Sequence, residues 1–150
     1  MGGLRNALQG KKVYLDANIF IYSLEGIDPW ATILEDVFLG LINLEFSSVS
    51  SSLSLSECLV LPFKQNKKDL ARVYREAISS NQYLTIAPIN DNVLISSANV
   101  RAKSGLKLPD AIHAATALSY QCTAMLTNDA GFNRVSDIEL FLLLDWIALK

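Results

Sequence analysis

The chain has 150 residues, of which 51% are hydrophobic and 19% are charged, and its formal net charge is −2 at pH 7. This length and composition predict one compact domain over residues 1–150 and exclude a largely disordered chain. The slightly acidic balance argues against a general polyanion binder, but a nucleic-acid enzyme with a local basic patch stays open.

Cysteine usage and hydropathy predict where the protein works. Cys58 and Cys122 stand far apart and in no metal-ligand spacing, which favours a reduced, intracellular protein. The first residues lack the long apolar run of a signal peptide, and no apolar run is long enough to span a bilayer. We therefore expect a cytoplasmic protein without a membrane partner.

Hydrophobic periodicity predicts strands that alternate with helices. A leader with little structure is expected over residues 1–10, and the domain core over about residues 12–145. Strands are predicted at about residues 12–15, 44–49, 83–87, 124–126 and 140–144, and helices at about 17–24, 30–41, 66–79, 90–103 and 108–118. A further helix is expected to begin in the serine run at residues 50–56 and to end before Pro62. Because the strands are apolar throughout, they indicate an α/β fold: a parallel sheet of about five strands inside three α/β/α layers.

Four acidic residues lie just after a predicted strand or near the start of a predicted helix. Asp16 and Asp129 each follow a strand directly, Glu57 lies early in the helix after strand two, and Asp110 opens a helix. Right-handed crossovers place all strand-to-helix turns at one edge of a parallel sheet, where the four acids can meet. Carboxylates brought together repel, and a divalent cation such as Mg²⁺ or Mn²⁺ removes that conflict. The pattern is thus compatible with a carboxylate metal site.

Each acid also has an ordinary structural explanation. Asp16 can cap the helix that begins at Ala17, and Glu57 can complete a capping box with Ser54. Asp110 is favourable in a first helical turn, and Asp129 lies in an ordinary turn sequence. The residues alone leave both explanations open.

Four motifs, taken in order, resemble those of the PIN-domain ribonucleases. They are LDANIFIY at residues 15–22, Ser56-Glu57, LPDAIHAATA at residues 108–117 and LTNDAGF at residues 126–132. The first and third are specific, and the isolated Glu57 gains from its order and place. The chain most resembles the VapC toxins of bacterial toxin–antitoxin pairs, over about residues 13–144.

This resemblance implies a PIN-like fold and a metal-dependent endoribonuclease that cleaves single-stranded or looped RNA. It also implies a cognate antitoxin protein and a homodimer as partners. Asp16, Asp110 and Asp129 would hold the principal Mg²⁺ or Mn²⁺ ion, with Glu57 completing the cluster or binding a second ion. The cation would activate water and neutralise charge on the phosphodiester.

Several polar residues near these acids are candidates for supporting roles. Asn18 and Thr127 are placed to bind water or to orient the ligands, although turn and cap contacts explain them equally well. RNA approach needs positive charge, for which Arg101 and Lys107 are candidates beside a solvated-surface alternative. His113, the only histidine, lies one turn after Asp110. Because alanines surround it and metal chemistry needs no histidine base, packing is favoured over a catalytic role.

The segment of residues 50–80 is more apolar than one short helix usually hides. Its apolar residues are Leu53, Leu55, Leu59, Val60, Leu61 and Phe63. By analogy with the family, this surface would serve dimerisation and antitoxin docking, and ordinary core packing is the alternative. Lys68, Arg72 and Arg75 share a face of the next helix, for which solvation or a protein interface is favoured.

Two other function classes compete with a ribonuclease. A non-catalytic PIN-like module would bind RNA or protein without cleaving it, and the difference is whether Mg²⁺ or Mn²⁺ supports a cleavage that Asp16→Asn abolishes. A phosphatase of the haloacid dehalogenase type needs a second Asp two residues after Asp16, where this chain has Asn18. A glycine-rich phosphate loop is absent from the sequence, which disfavours a nucleotide-binding switch.

Overall fold

The computed structural model of the protein describes residues 3–147. Its strands are β1 (Lys12–Leu15), β2 (Ser47–Ser51), β3 (Leu84–Ala87), β4 (Ala124–Thr127) and β5 (Glu139–Leu142). Its α-helices are α1 (Leu4–Ala7), α2 (Ala17–Glu25), α3 (Trp30–Ile42), α4 (Ser52–Lys64), α5 (Lys68–Ala77), α6 (Asp91–Ser104), α7 (Leu108–Ser119) and α8 (Leu144–Ile147). A 3-10 helix, Ala130–Arg134, follows β4.

The five strands form one sheet in the order β3-β2-β1-β4-β5, and every neighbouring pair is parallel. The first strand along the chain, β1, is the central one. The chain then moves outward through β2 and β3 and returns to the other side of β1 with β4 and β5. Helices on both faces complete three layers. The predicted α/β/α architecture with a parallel sheet of about five strands is therefore confirmed.

Alternation of side chains along the central strand divides the apolar core between the two faces. Val13 and Leu15 are fully buried in a cluster with residues of α1 to α5. Tyr14, between them, is fully buried in the opposite cluster with residues of α6 and α7. The sheet is therefore covered on both faces, which explains why the central strands β1 and β4 are largely apolar, whereas β2 consists mostly of serines.

Small side chains bring α7 close to the sheet. Ala111, Ala114, Ala115 and Ala117 have no solvent exposure. Because a methyl group occupies little space, the helix backbone can approach the strands closely. This approach fixes the position of His113 and Asp110, which α7 also carries.

The amino terminus departs from the predicted leader. The turn of helix α1 places Leu4 and Leu8 in the buried core, and Gly10 N donates to Glu45 O at 2.9 Å. The expectation of little structure over residues 1–10 is therefore wrong from residue 3 onward, and the buried core begins at Leu4 rather than near residue 12. Residues 1–2 and 148–150 of the predicted domain lie outside the described part.

The serine run and Pro62 also differ from the prediction. Strand β2 contains Ser47–Ser51, later than the predicted 44–49, because hydroxyls find partners within the sheet: Ser50 Oγ donates to Leu15 O at 2.8 Å. Ser51 then caps α4 by accepting from Leu53 N. Pro62 lies inside α4 rather than after it, since proline removes only one backbone amide donor and the helix resumes through Lys64.

Two further observations concern the cysteines and the membrane. Cys58 and Cys122 are free thiols and both are buried. Between residues 3 and 147, none of the helices combines the length and the apolar character needed to cross a membrane.

Candidate functional site

The site lies where the sheet order reverses. β1 pairs with β2 on one side and with β4 on the other, so the connections after β1 and β4 diverge at their carboxyl ends. Such a reversal creates the crevice in which open α/β sheets bind ligands. In this register Leu15 is opposite Leu126, and Asp16 N donates to Leu126 O at 3.2 Å. Asp16 and Thr127 therefore leave the sheet side by side.

Both carboxylate oxygens of Asp16 are held, one from each side of this crevice. Oδ1 accepts a hydrogen bond from Ala17 N at 2.8 Å and caps α2. Oδ2 accepts from the Thr127 hydroxyl at 2.7 Å. The capping explanation is thus correct for one oxygen, and the other is oriented by β4. Asp16 as a whole residue is 8% exposed, so the remaining lone pairs of its carboxylate face a restricted space.

The amide of Asn18 lies against the same pair. Its Nδ2 is 3.5 Å from Asp16 Oδ2 and 3.4 Å from Thr127 Oγ1, both long hydrogen bonds. Its Oδ1 is buried and has no hydrogen-bond partner among the described residues. An oxygen without a partner at this position is available to a bound cation or water.

Glu57 reaches the site through His113. Because α4 begins at Ser52 and is capped by Ser51, Glu57 lies in its second turn and the predicted capping box with Ser54 is wrong. Instead, Glu57 Oε1 and His113 Nε2 are joined at 2.6 Å. His113 Nδ1 is 2.6 Å from the Tyr14 hydroxyl, and His113 Nε2 is 3.7 Å from Asp16 Oδ1.

One ligand atom from each of Asp16, Glu57 and His113 falls within 4.8 Å of the others. Burial opposes a charge on His113, but its hydrogen bond to Glu57 and the charges of Asp16, Glu57 and Asp110 outweigh burial and raise its pKa. The surroundings of the imidazole are therefore strongly negative.

Asp110 and Asp129 lie outside this group of three but share its electrostatic field. Burial raises the pKa of Asp110, and the charges of Asp129, Asp16 and Glu57 raise it further against the opposing effect of His113. Asp129 is exposed, and its Oδ1 accepts from Gly131 N at 2.8 Å, so the predicted turn role is present. Its backbone N donates to Thr127 Oγ1 at 3.0 Å, which ties it to β4.

This set of donors fits a hard divalent cation. Besides one nitrogen of His113, the candidate ligand atoms are carboxylate oxygens and Asn18 Oδ1, which has no hydrogen-bond partner among the described residues. Oxygen ligands are the type that Mg²⁺ and Mn²⁺ prefer. Mutual repulsion of the acids, seen in the raised pKa of Asp110, would be relieved by positive charge.

The two candidate RNA contacts are at the junction of α6 and α7. Arg101 is exposed, and its Nε donates to Leu106 O at 3.1 Å, which supports the turn between the helices. Lys107 is exposed at the start of α7 and does not cap it with its side chain. Their contact with RNA stays a prediction.

Sequence reasoning missed Tyr14 and underrated His113. The sequence places Tyr14 in a buried strand, and a buried phenol hydroxyl needs a hydrogen-bond partner, which is the signal that points to a polar neighbour. The histidine one turn beyond Asp110 on a helix of alanines was the matching signal. The side chains of Tyr14 and His113 connect the sheet to Glu57 through hydrogen bonds.

Solved structures share this fold. VapBC2 from Rickettsia felis bound to a promoter DNA fragment has a TM-score of 0.66 and 20% identity, covering 87% of this chain and 98% of that one. A toxin–antitoxin complex from Klebsiella pneumoniae has a TM-score of 0.65 and 22% identity, covering 87% and 97%. VapC20 of Mycobacterium tuberculosis, described as a sarcin–ricin loop cleaving toxin, has a TM-score of 0.68 and 12% identity, covering 85% and 97%. At these identities the likeness establishes the fold.

Comparison by sequence adds the family. No curated protein significantly matches the chain. The sequence profile of the PIN domain matches residues 13–138, which include all four candidate acids and His113. The resemblance inferred from the motifs is thereby confirmed at the level of the family, and this chain belongs to the PIN domain family.

Proposed function

We propose that this protein is a metal-dependent endoribonuclease that cleaves single-stranded or looped RNA and serves as the toxin of a toxin–antitoxin pair. The observation that carries the proposal is the convergence of Asp16 and Glu57 at the carboxyl ends of β1 and β4. Asp110, whose charge is opposed by Asp129 and Asp16, extends the same acidic field. The negative charges of these acids repel each other in the fold, and a bound cation would relieve this repulsion.

The proposed ligands of the cation are Asp16, Glu57, Asp110 and Asp129. A bound Mg²⁺ or Mn²⁺ would supply an activated water for attack on phosphorus and would offset charge on the phosphoryl oxygens. Oxygen ligands alone do not select between the two ions, and both belong in the assay.

The chain's own residues orient the ligands and the substrate. Thr127 and Ala17 N hold the two oxygens of Asp16, which fixes the direction of the remaining lone pairs. Asn18 keeps its amide against that carboxylate. Arg101 and Lys107, both exposed near the start of α7, would attract the RNA backbone toward the acids.

The proposal is tested with purified protein free of antitoxin and of contaminating ribonuclease. We expect cleavage of total RNA with Mn²⁺ or Mg²⁺, none with EDTA, and none with Asp16→Asn prepared in the same way. Sequencing of the new RNA ends then distinguishes transfer RNA, a ribosomal RNA loop and messenger RNA. Tight RNA binding without cleavage in either metal would instead indicate a non-catalytic RNA-binding module.

We also propose an antitoxin protein and a second copy of the chain as partners, in the cytoplasm. The support is an exposed apolar surface on α4, where Val60, Leu61 and Phe63 are 52%, 52% and 61% exposed. Leu55, Leu59, Val60 and Phe63 line a groove on this surface. Co-expression with the product of the adjacent open reading frame tests the first partner, and light scattering of the purified protein tests the homodimer.

A further inference from the structure

Tyr14, His113 and Glu57 form a continuous hydrogen-bonded chain from the buried sheet to the edge of the site. The Tyr14 hydroxyl is 2.6 Å from His113 Nδ1, and His113 Nε2 is 2.6 Å from Glu57 Oε1. Tyr14 and His113 are 0% and 1% exposed. The imidazole is therefore held at both nitrogens, with no access to bulk water.

The chemistry of the partners places the hydrogen on His113 Nε2. An ionised Glu57 only accepts, so Nε2 must donate to it. Burial raises the pKa of Tyr14, which stays protonated and can donate to Nδ1 of a neutral imidazole. In a protonated imidazole Nδ1 donates to Tyr14 instead, and Nε2 still donates to Glu57. In both forms the Nε2 lone pair is not free for a metal.

The side chain that this hydrogen bond restrains is partly exposed to solvent. Glu57 projects from α4, and its side chain is 36% exposed, against 12% for that of Asp16. Asp16 is held by Ala17 N and Thr127, but His113 is the hydrogen-bond partner that the structure gives to Glu57. Without it, the Glu57 carboxylate can rotate toward solvent.

We propose that His113 is a positioning residue: it donates to Glu57 Oε1, leaves Oε2 for the cation, and does not bind the cation itself. Tyr14 in turn fixes the orientation of the imidazole. The inference rests on the proposed function, because it assigns Glu57 to the metal site, and it explains why a buried histidine stands among the alanines of α7.

Removal of the donor tests the proposal through metal affinity. Hydrogen-bond partners of metal ligands typically contribute 10- to 100-fold in affinity or activity. We expect His113→Leu to weaken Mn²⁺ binding by about 10- to 100-fold and to lower kcat for RNA by a similar factor, with little change in KM. His113→Gln should restore most of both, because its amide Nε2 can donate from nearly the same position.

A double variant and a further single variant separate this effect from packing. In Glu57→Gln protein, His113→Leu should cause no further loss of Mn²⁺ affinity, since the carboxylate that His113 positions is already gone. Tyr14→Phe, which keeps the ring and removes the hydroxyl, should weaken Mn²⁺ binding less than His113→Leu does. The protein is prepared without a histidine tag so that the tag does not bind the metal.

A spectroscopic measurement addresses the hydrogen on Nε2 directly. The sequence contains one histidine, so selective ¹⁵N labelling of histidine reports on His113 alone. We expect a protonated Nε2 whose signal shifts in Glu57→Gln and which keeps its hydrogen when Mg²⁺ is added. Loss of that hydrogen on adding Mg²⁺, with His113→Gln as weak as His113→Leu, would overturn the proposal and make His113 a metal ligand.

The remaining outcomes distinguish this proposal from the proposed function. Unchanged Mn²⁺ affinity in His113→Leu, with only a lower melting temperature, would assign the histidine to packing and refute positioning. Wild-type protein that binds Mn²⁺ but cleaves no RNA would refute the ribonuclease, while the affinities of the variants still decide the role of His113. Wild-type protein that binds no Mn²⁺ would refute both.

Discussion

The hydroxyl of Thr127 donates to Asp16 Oδ2 at 2.7 Å, although the two residues are 111 positions apart. The bond exists because β4 returns to the side of β1, which puts the ends of both strands at the same crevice. Thr127 Oγ1 also accepts from Asp129 N at 3.0 Å. One hydroxyl therefore links two of the proposed metal ligands.

Thr127→Val keeps the shape of this side chain and removes the hydroxyl. We expect cleavage to fall about 10- to 100-fold, because Asp16 loses its orienting donor. The free energy of unfolding should fall by about 1–3 kcal/mol, since buried polar groups lose their partner. Cleavage assays and urea unfolding measure the two effects. Thr127→Ser, which keeps the hydroxyl, should stay close to wild type in both; full cleavage activity in Thr127→Val would show that the hydroxyl does not orient Asp16 for the reaction.

Asp16 caps α2 and is also a proposed metal ligand, and substitutions can separate the two roles. Asparagine caps helices about as well as aspartate, so Asp16→Asn should leave stability nearly unchanged. Cleavage should fall more than about 100-fold, which exceeds the loss expected for a residue that only orients a metal ligand. Asp16→Ala loses the bond to Ala17 N as well and should cost about 1 kcal/mol more in stability. Chemical unfolding and RNA cleavage of both variants provide the comparison. An active Asp16→Asn with reduced stability would leave capping as its sole role.

Asp110 predicts a conflict between stability and function. Its pKa is raised, first by burial and then by the charges of Asp129 and Asp16, so the ionised side chain is disfavoured in the folded protein. At pH 7 Asp110→Asn should therefore raise the melting temperature in EDTA while it abolishes cleavage. Added Mn²⁺ should stabilise wild type more than the variant and reduce or reverse that difference.

Asp91→Asn is a matched control for this prediction. Asp91 also lies in the first turn of a helix, α6, but it does not act on the pKa of Asp110. Loss of its favourable interaction with the helix dipole should lower stability slightly or leave it unchanged. A rise in melting temperature for both variants would assign the effect to general charge rather than to the site.

Local sequence patterns predict the contacts that form within a few residues, and they do not predict those between distant parts of the chain. All strands except β2 and most helices could be predicted closely because hydrophobic runs, caps and breakers act within a few residues. The acids could be placed at one sheet edge, since parallel crossovers require it. The position of β2 (Ser47–Ser51) could not be predicted, because the Ser50 hydroxyl donates its hydrogen bond to Leu15 O in another strand. The bond from His113 to Glu57 spans 56 residues, and local patterns contain no information about it.

Hydrogen bonds between Arg5, Gln9 and Glu45 hold helix α1 against the rest of the domain, and their contribution to stability depends on pH. Arg5 Nε donates to Glu45 Oε1 at 2.9 Å, Arg5 Nη2 pairs with Glu45 Oε2, and Gln9 donates to the same carboxylate. Hydrogen bonds from Arg5 and then Gln9 lower the pKa of Glu45 from 4.5 to about 2. Because the folded pKa is the lower one, the stabilisation is complete above about pH 4.5 and is lost as the pH falls toward 2.

Glu45→Gln should therefore have a lower melting temperature than wild type at pH 7, and the difference should shrink below pH 4.5 and vanish below about pH 2. Thermal unfolding of both proteins across this range measures it. Since other acids titrate in both proteins alike, the difference isolates Glu45. A gap that stays constant with pH would show that the carboxylate's charge is not what fastens the helix.

The apolar surface of α4 is where we expect the proposed antitoxin to bind. Val60 and Phe63 are exposed and line one groove, so changing both to serine should leave folding and RNA cleavage intact. A minority of interface residues, the apolar anchors near its centre, cost more than about 1 kcal/mol each when truncated. If Val60 and Phe63 are such anchors, affinity for the antitoxin should fall at least about tenfold. Ile95→Ser, at a residue of α6 that is 69% exposed, is the control for loss of exposed apolar area. Calorimetric titration of antitoxin into each variant decides it: an equal loss in Ile95→Ser, or none in the double variant, would place the antitoxin elsewhere on the protein.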